Sequence, residues 1–137
     1  MIDTAAHRFG WDESLWFETT VDDPGHQAAA QALDRSPDVL IVVGGDGTMR
    51  AMVEESHRAK IPITIVPTGT GNLLARNVRL PLHDPGCTVS AAFQGTDHLI
   101  DIVSAVLTHP DSSVSERIFV AMAGIGLDAG SSLVTSF

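Results

Sequence analysis

A single cysteine, Cys87, stands among the 137 residues, so no intramolecular disulfide can form and a cysteine-based metal site is excluded. Positive charge is scarce as well: eight Lys and Arg face 17 Asp and Glu, a net charge of −9. A nucleic-acid-binding domain would show a basic face instead, so no nucleic-acid partner is expected. Long apolar runs are also missing. Stretches such as Val39–Val43 fall far short of the roughly 18 residues of a membrane span. Met1–Gly10 holds acid and histidine but no apolar block, so no secretory signal is read there. With so little thiol, a cytoplasmic setting is the default expectation. What is present, 44% hydrophobic and 18% charged residues without repeats or biased tracts, is the balance of a globular chain. The length suits one domain, which at this size buries roughly two-thirds of its unfolded surface.

The charge is unevenly placed. Residues 1–45 carry two Arg against eight acids, and residues 80–137 carry Arg117 against six. Between them lie Arg50, Arg58, Lys60, Arg76 and Arg79 against only Asp46, Glu54 and Glu55. An anionic ligand would therefore bind in the middle third. A solvated helix surface accounts for the same charges.

Strand and helix patterns alternate in short units. After a polar leader, β-formers at Leu15–Thr20 predict a strand that stops at the turn cluster Asp22–Gly25. Ala-rich His26–Arg35 predicts a helix, and the β-branched run Val39–Val43 a strand buried on both faces. Helix is expected over Thr48–Ala59, strand over Ile61–Val66, then helix from Thr70 or Asn72 to about Val78 and a weaker one over Pro85–Phe93. Strands at His98–Val106 and Arg117–Ala123 flank a polar loop. This order predicts an α/β fold of three layers, a mostly parallel sheet with helices on both faces. Ligands of such sheets bind beyond the carboxyl ends of the strands.

Two glycine-rich loops follow predicted strands. In Gly44-Gly45-Asp46-Gly47-Thr48 the glycines let backbone N–H groups approach a ligand, and the next helix points its electropositive N-terminus there. Asp46 would repel phosphate unless it held a metal, Mg²⁺ being the natural choice, or took a proton. A Gly-Asp-Gly turn with Asp46 as a helix cap explains the same residues. In Pro67-Thr68-Gly69-Thr70-Gly71-Asn72, short polar side chains surround two more glycines, and Arg76 lies one helical turn after Asn72. A capped loop again explains the composition. Neither loop continues into Gly-Lys-Ser/Thr, so neither is a Walker sequence. Gly124-Ile125-Gly126 is only a weak dinucleotide-binding match. The histidines are scattered and Cys87 has no basic neighbour in sequence, so none of them marks a site.

Val-Val-Gly-Gly-Asp-Gly-Thr at 42–48 with Pro-Thr-Gly-Thr-Gly-Asn-Leu-Leu-Ala-Arg at 67–76 resembles the diacylglycerol kinase catalytic domain. That family includes bacterial lipid kinases and sphingosine kinases, with NAD kinases as distant relatives. Thr19-Thr20 before Pro24-Gly25, Asp101 after Leu99-Ile100, and Phe119–Ala129 extend the likeness over most of the chain. The resemblance implies a Rossmann-like, NAD kinase/diacylglycerol kinase-like N-terminal domain. In it Gly44, Gly45, Gly47 and Thr48 cradle ATP phosphates. Thr68, Gly69, Thr70 and Asn72 line the nucleotide cleft, with Thr20 at its rim. Asp46 holds Mg²⁺ or serves as the catalytic base toward the hydroxyl of diacylglycerol or a sphingoid lipid.

The chain departs from the family pattern at Ala51 and Ala121, where an acid and an Asn are usual. The family's first strand, ending in Asn-Pro-x-x-Gly, and its C-terminal β-sandwich are not found in residues 1–137, so an incomplete ATP-binding domain is expected. Its partners would be ATP and lipid, with peripheral membrane contact and a homodimer both compatible. An NAD kinase-like enzyme and a nucleotide-binding fragment without catalysis are the alternatives.

Overall fold

The structure, a computed structural model, describes residues 1–123. The β-branched runs form β1 (Leu40–Gly44) and β2 (Ile63–Pro67), which pair in parallel with Leu40 opposite Ile63 and Gly44 opposite Pro67. Around them lie α1 (Ile2–Arg8), α2 (His26–Leu33), α3 (Asp46–Ser56), α4 (Leu73–Asn77) and α5 (Pro85–Gln94). A separate antiparallel hairpin follows, β3 (Val103–Thr108) with β4 (Val114–Phe119).

Side chains of a strand alternate between its two faces, and here they divide the core. Leu40 and Val42 join Ala29 and Ala32 of α2 and Met49, Met52 and Val53 of α3 in one buried cluster, which Ile63 and Ile65 flank. Val66 joins Val89 of α5 and Ile2 of α1 in a second cluster, which Ile41 and Phe93 flank. Each fully buried Met or Val contributes about 1.5–3 kcal/mol, and α3 places three such residues, Met49, Met52 and Val53, on one stripe.

Three expectations are corrected. Leu15–Thr20 forms no strand: it is irregular, with Leu15 and Trp16 66% and 63% exposed. β-propensity acts through neighbours, and among the described residues no ladder partner reaches this segment. The polar leader is instead a helix, α1, because Ile2 and Ala6 lie one turn apart and are both buried. Asp3 then accepts a hydrogen bond from the Ser14 N–H at 3.0 Å, and Trp11 meets Phe93 edge-on at 5.4 Å, fastening residues 11–14 to α1 and α5.

The sheet is also smaller than expected: among the described residues β1 and β2 alone are parallel, and the later strands make their own sheet. The strand expected at Arg117–Ala123 begins and ends earlier, at Val114 and Phe119, and the one expected from His98 begins at Val103. The polar loop is a tight turn in which the His109 N–H donates to Ser113 and the Ser112 N–H to His109. Ile118, 7% exposed, anchors the hairpin to the first cluster, while Val103, Val106 and Val114 stay 60–68% exposed. The Gly124-Ile125-Gly126 sequence and the end of the Phe119–Ala129 segment lie outside the described residues.

Candidate functional site

Because β1 and β2 are in register, Gly44 and Pro67 end side by side and both glycine loops leave the same sheet edge. The Thr68 N–H donates to the Gly44 carbonyl at 3.0 Å, carrying the ladder one step into the loops. Gly45 and Gly69 then come together backbone to backbone. A Cβ on Gly69 would stand 2.8 Å from the Gly45 Cα, and one on Gly45 would stand 3.2 Å from the Gly69 Cα. A side chain at 69 would therefore clash with the facing backbone, and one at 45 would press tightly on it.

The helix after the first loop starts two residues earlier than expected. Gly45 is its N-cap in extended geometry, with no side-chain cap, so Asp46 and Gly47 belong to the first turn of α3. That end of α3 keeps free N–H groups and partial positive charge. Space remains beside it, since a Cβ on Gly47 would meet nothing within 4 Å. Thr48 is half-buried and packs under Gly44, where a Cβ would lie 2.8 Å from the Thr48 Cβ.

Asp46 does not cap its own helix. Its Oδ1 accepts the Leu73 N–H at 2.7 Å, so it caps α4, 27 residues further on, and ties the two loops together. Oδ2 faces Gly71, where a Cβ would come within 2.8 Å of it. Asn72, at the N-cap of α4, is left-handed at φ 49°. Its Nδ2 donates to the Gly69 carbonyl, while its Oδ1 is buried without a hydrogen-bond partner among the described residues. A buried orphan acceptor costs roughly 1–3 kcal/mol unless something donates to it. Arg76 turns back to give its Nε–H to the Gly71 carbonyl at 2.7 Å, pinning the second loop. Thr68, Gly69 and Thr70 remain exposed.

Thr20 is drawn into a turn of its own, donating its N–H to the Asp23 carbonyl and accepting the Asp23 N–H on Oγ1, both at 3.0 Å. Asp23 in turn accepts the N–H groups of Gln27, Gly25 and His26, and those bonds, with Gln27 foremost, hold its carboxyl below the ordinary carboxylate value. This turn abuts α3: a Cβ on Gly25 would lie 3.6 Å from the Thr48 carbonyl and from the Ala51 Cβ. Ala51 is fully buried, so no carboxylate stands where the family pattern has one. Asp101 lies exposed ahead of β3.

The structure thus brings together Gly44, Gly45, Asp46, Gly47, Thr48, Thr68, Gly69 and Asn72, and gives the Thr20 hydroxyl another partner. Sequence reasoning missed the Asp46–Leu73 and Arg76–Gly71 bonds, which no local spacing rule signals. It also missed Asp23 as the cap of α2, although an Asp just before an Ala-rich helix is that signal. Among the described residues no three His, Cys, Asp or Glu side chains gather as a metal site, and no helix is long and apolar enough to cross a membrane.

Residues 11–105 match the diacylglycerol kinase catalytic domain. The chain is 31% identical over 107 residues to a protein of Mycobacterium tuberculosis named diacylglycerol kinase, covering 78% of this chain and 33% of that one. It is 30% identical over 108 residues to a probable YegS-like lipid kinase of Stenotrophomonas maltophilia, covering 74% of this chain and 35% of that one. It spans about a third of the length of these curated relatives. No solved structure matches it significantly. The paired glycine loops on one sheet edge and the span of the match lead to one conclusion: the chain belongs to the diacylglycerol kinase catalytic domain family.

Proposed function

We propose that residues 1–137 form the ATP-binding domain of a lipid kinase, a Rossmann-like three-layer unit. It would work at a cytoplasmic membrane surface and transfer phosphate to the hydroxyl of diacylglycerol or a sphingoid lipid. The single observation that supports this best is the contact of Gly45 with Gly69 beside the open N-terminus of α3. Two glycine backbones and a helix end converge where side chains are absent, the arrangement that suits a polyanion. The cations of residues 46–79 surround it in sequence.

The residues fit ATP. The first turn of α3, with Gly44, Gly45, Gly47 and Thr48, offers N–H groups to the phosphates. Thr68, Gly69 and Thr70 present exposed short groups on the facing wall, with Thr20 at the rim, and the orphan Asn72 Oδ1 is an acceptor for an amino group or water. Mg²⁺ fits as well, on a single protein oxygen. With Oδ1 engaged by Leu73, Asp46 has Oδ2 to give, and Mg²⁺ characteristically takes one or two carboxylates with phosphates and waters for the rest. Bound there, the ion would neutralise phosphate charge, which is most of what phosphoryl transfer requires besides positioning. The chain's own part is to hold the phosphates on α3 and keep Oδ2 aimed by the Leu73 bond. The relatives' names speak of lipid rather than nicotinamide acceptors, which favours this reading over an NAD kinase-like one.

Calorimetric titration with ATP, with and without Mg²⁺, tests the site, and transfer of labelled phosphate to diacylglycerol and sphingosine in mixed micelles tests the acceptor. Asp46→Asn keeps an oxygen for Leu73 while removing the charge. It should fold normally and lose Mg²⁺-dependent ATP binding at least ten-fold. If ATP fails to bind, or the variant binds as well as the parent, the reading is wrong.

A further inference from the structure

The chain carries a net charge of −9, yet residues 56–83 contain no Asp or Glu and include Arg58, Lys60, Arg76 and Arg79. The acids that border this tract in sequence are engaged: Glu55 Oε1 lies 3.0 Å from His26 Nδ1, and Asp84 Oδ1 accepts the Cys87 N–H. The tract runs through the sheet, so its cations divide between two ends. Arg58 and Lys60 precede β2, whereas Arg76 and Arg79 follow it, on the side of the glycine loops.

α4 begins at the candidate site, where the Leu73 N–H meets Asp46, and its five residues span only about 7.5 Å. Leu74 and Ala75 are buried. Leu73, Arg76 and Asn77, at i, i+3 and i+4, share the opposite side, and all three are exposed. Leu73 is 37% exposed, and Val78, the next residue after the helix, 40%. The helix closes with the Leu80 N–H on the Ala75 carbonyl and the Arg79 N–H on the Arg76 carbonyl. That pattern leaves the residue before Leu80 left-handed, a place glycine usually takes, and here it is Arg79 at φ 59°. Among the described residues neither Arg76 nor Arg79 pairs with a carboxylate. Two aliphatic side chains and two unpaired cations thus stand exposed beside the site.

We propose that residues 73–79 are the face on which this domain rests against a bilayer containing anionic lipid. Arg76 and Arg79 meet headgroup phosphates, and Leu73 and Val78 settle among the glycerol backbones. The choice of a bilayer over an acidic protein rests on the lipid-kinase reading, whose acceptor hydroxyl lies at headgroup depth. Charge supplies the attraction. A negative leaflet draws each nearby Lys or Arg, and its field fades within a Debye length, about 8 Å at physiological salt. The cations of one small face therefore count for more than acids placed elsewhere on the chain. Docked this way, the start of α4, Asp46 and the first turn of α3 approach the lipid surface together.

Co-sedimentation of the nucleotide-free chain with vesicles tests this face. The chain should bind phosphatidylcholine vesicles that include phosphatidylglycerol and not vesicles of phosphatidylcholine alone. Arg79→Gly removes a cation where the backbone favours glycine, so urea denaturation should show no loss of stability. Vesicle affinity should fall about five-fold, the effect of one cation near an anionic surface. Lys60→Gly is the matched control. Lys60 is also exposed and left-handed, at φ 57°, but stands at the other end of β2; its loss should leave vesicle affinity unchanged. Equal losses from the two glycine variants would mean general charge attraction and overturn the proposal. So would binding to immobilised polyglutamate in preference to vesicles, or a dimer in sedimentation that depends on Arg79. Phosphate transfer in micelles without vesicle docking overturns this face and leaves the kinase reading standing; docking without ATP binding does the reverse.

Discussion

The two glycine loops leave the same edge of the sheet yet do opposite things with their backbone. The first opens α3, an 11-residue helix whose N-cap makes no side-chain bond and whose Gly47 borders open space. The second opens α4, only five residues long, and much of its backbone is engaged, Leu73 by Asp46, Gly71 by Arg76 and Gly69 by Asn72, while Thr68 and Thr70 stay exposed. The first loop leaves backbone donors free at the start of α3, while the backbone of the second is largely occupied in tying the two loops together. Glycine therefore has two meanings here, open space at 47 and close approach of a neighbouring backbone at 45 and 69.

Substitutions can break that contrast, and the largest effect is expected at the contact. Gly69→Ala puts a methyl 2.8 Å from the Gly45 Cα, which cannot swing aside as a side chain would. It should destabilise by about 1–3 kcal/mol in urea denaturation and abolish ATP binding with it. Asp46→Ala comes next. Loss of the α4 cap should cost about 1 kcal/mol by the same measurement, whereas Asp46→Asn restores stability and not binding. Gly47→Ala should separate the two meanings cleanly. Its methyl meets nothing within 4 Å, and Ala outranks Gly in a helix by up to about 1 kcal/mol. Stability should hold or rise while ATP affinity in calorimetry falls about ten-fold.

The smallest effect belongs to the turn that abuts α3. The Asp23 carboxyl is held low by the N–H groups it accepts, those of Gln27 above all. Its stabilisation of the α2 N-terminus is present above the ordinary carboxylate value, near about 3.9, and is lost as pH falls through the depressed folded value. Amide exchange at His26 and Gln27 should quicken selectively in acid, and Asp23→Asn should remove the pH dependence.

Much of this architecture can be read from single segments. Val39–Val43 is a largely β-branched run and Ile61–Val66 an apolar one, and Met49, Met52 and Val53 lie on the buried stripe of α3. Leu15–Thr20 misleads because strand propensity needs a neighbour to act through, and no strand pairs with it among the described residues. α1 escapes because Ile2 and two small alanines, Ala5 and Ala6, carry its apolar signal among polar residues. At the candidate site, glycine spacing shows that two loops exist and that each follows a strand. It does not show that Gly45 touches Gly69, or that Asp46 serves a helix 27 residues away, because these contacts depend on strand register rather than on local sequence.

Were a cation to bind at Asp46 as proposed, the Asp46–Leu73 bond would make one backbone amide a reporter of how it is held. An ion content with Oδ2 leaves Leu73 hydrogen-bonded and its proton slow to exchange. An ion that took both oxygens would strip the first turn of α4 of its acceptor and free the Leu73 N–H, while buried Leu74 and Ala75 still hold the helix to the core. Ligand binding would then speed exchange at Leu73 instead of slowing it. The sign of that single change distinguishes one-point from two-point coordination.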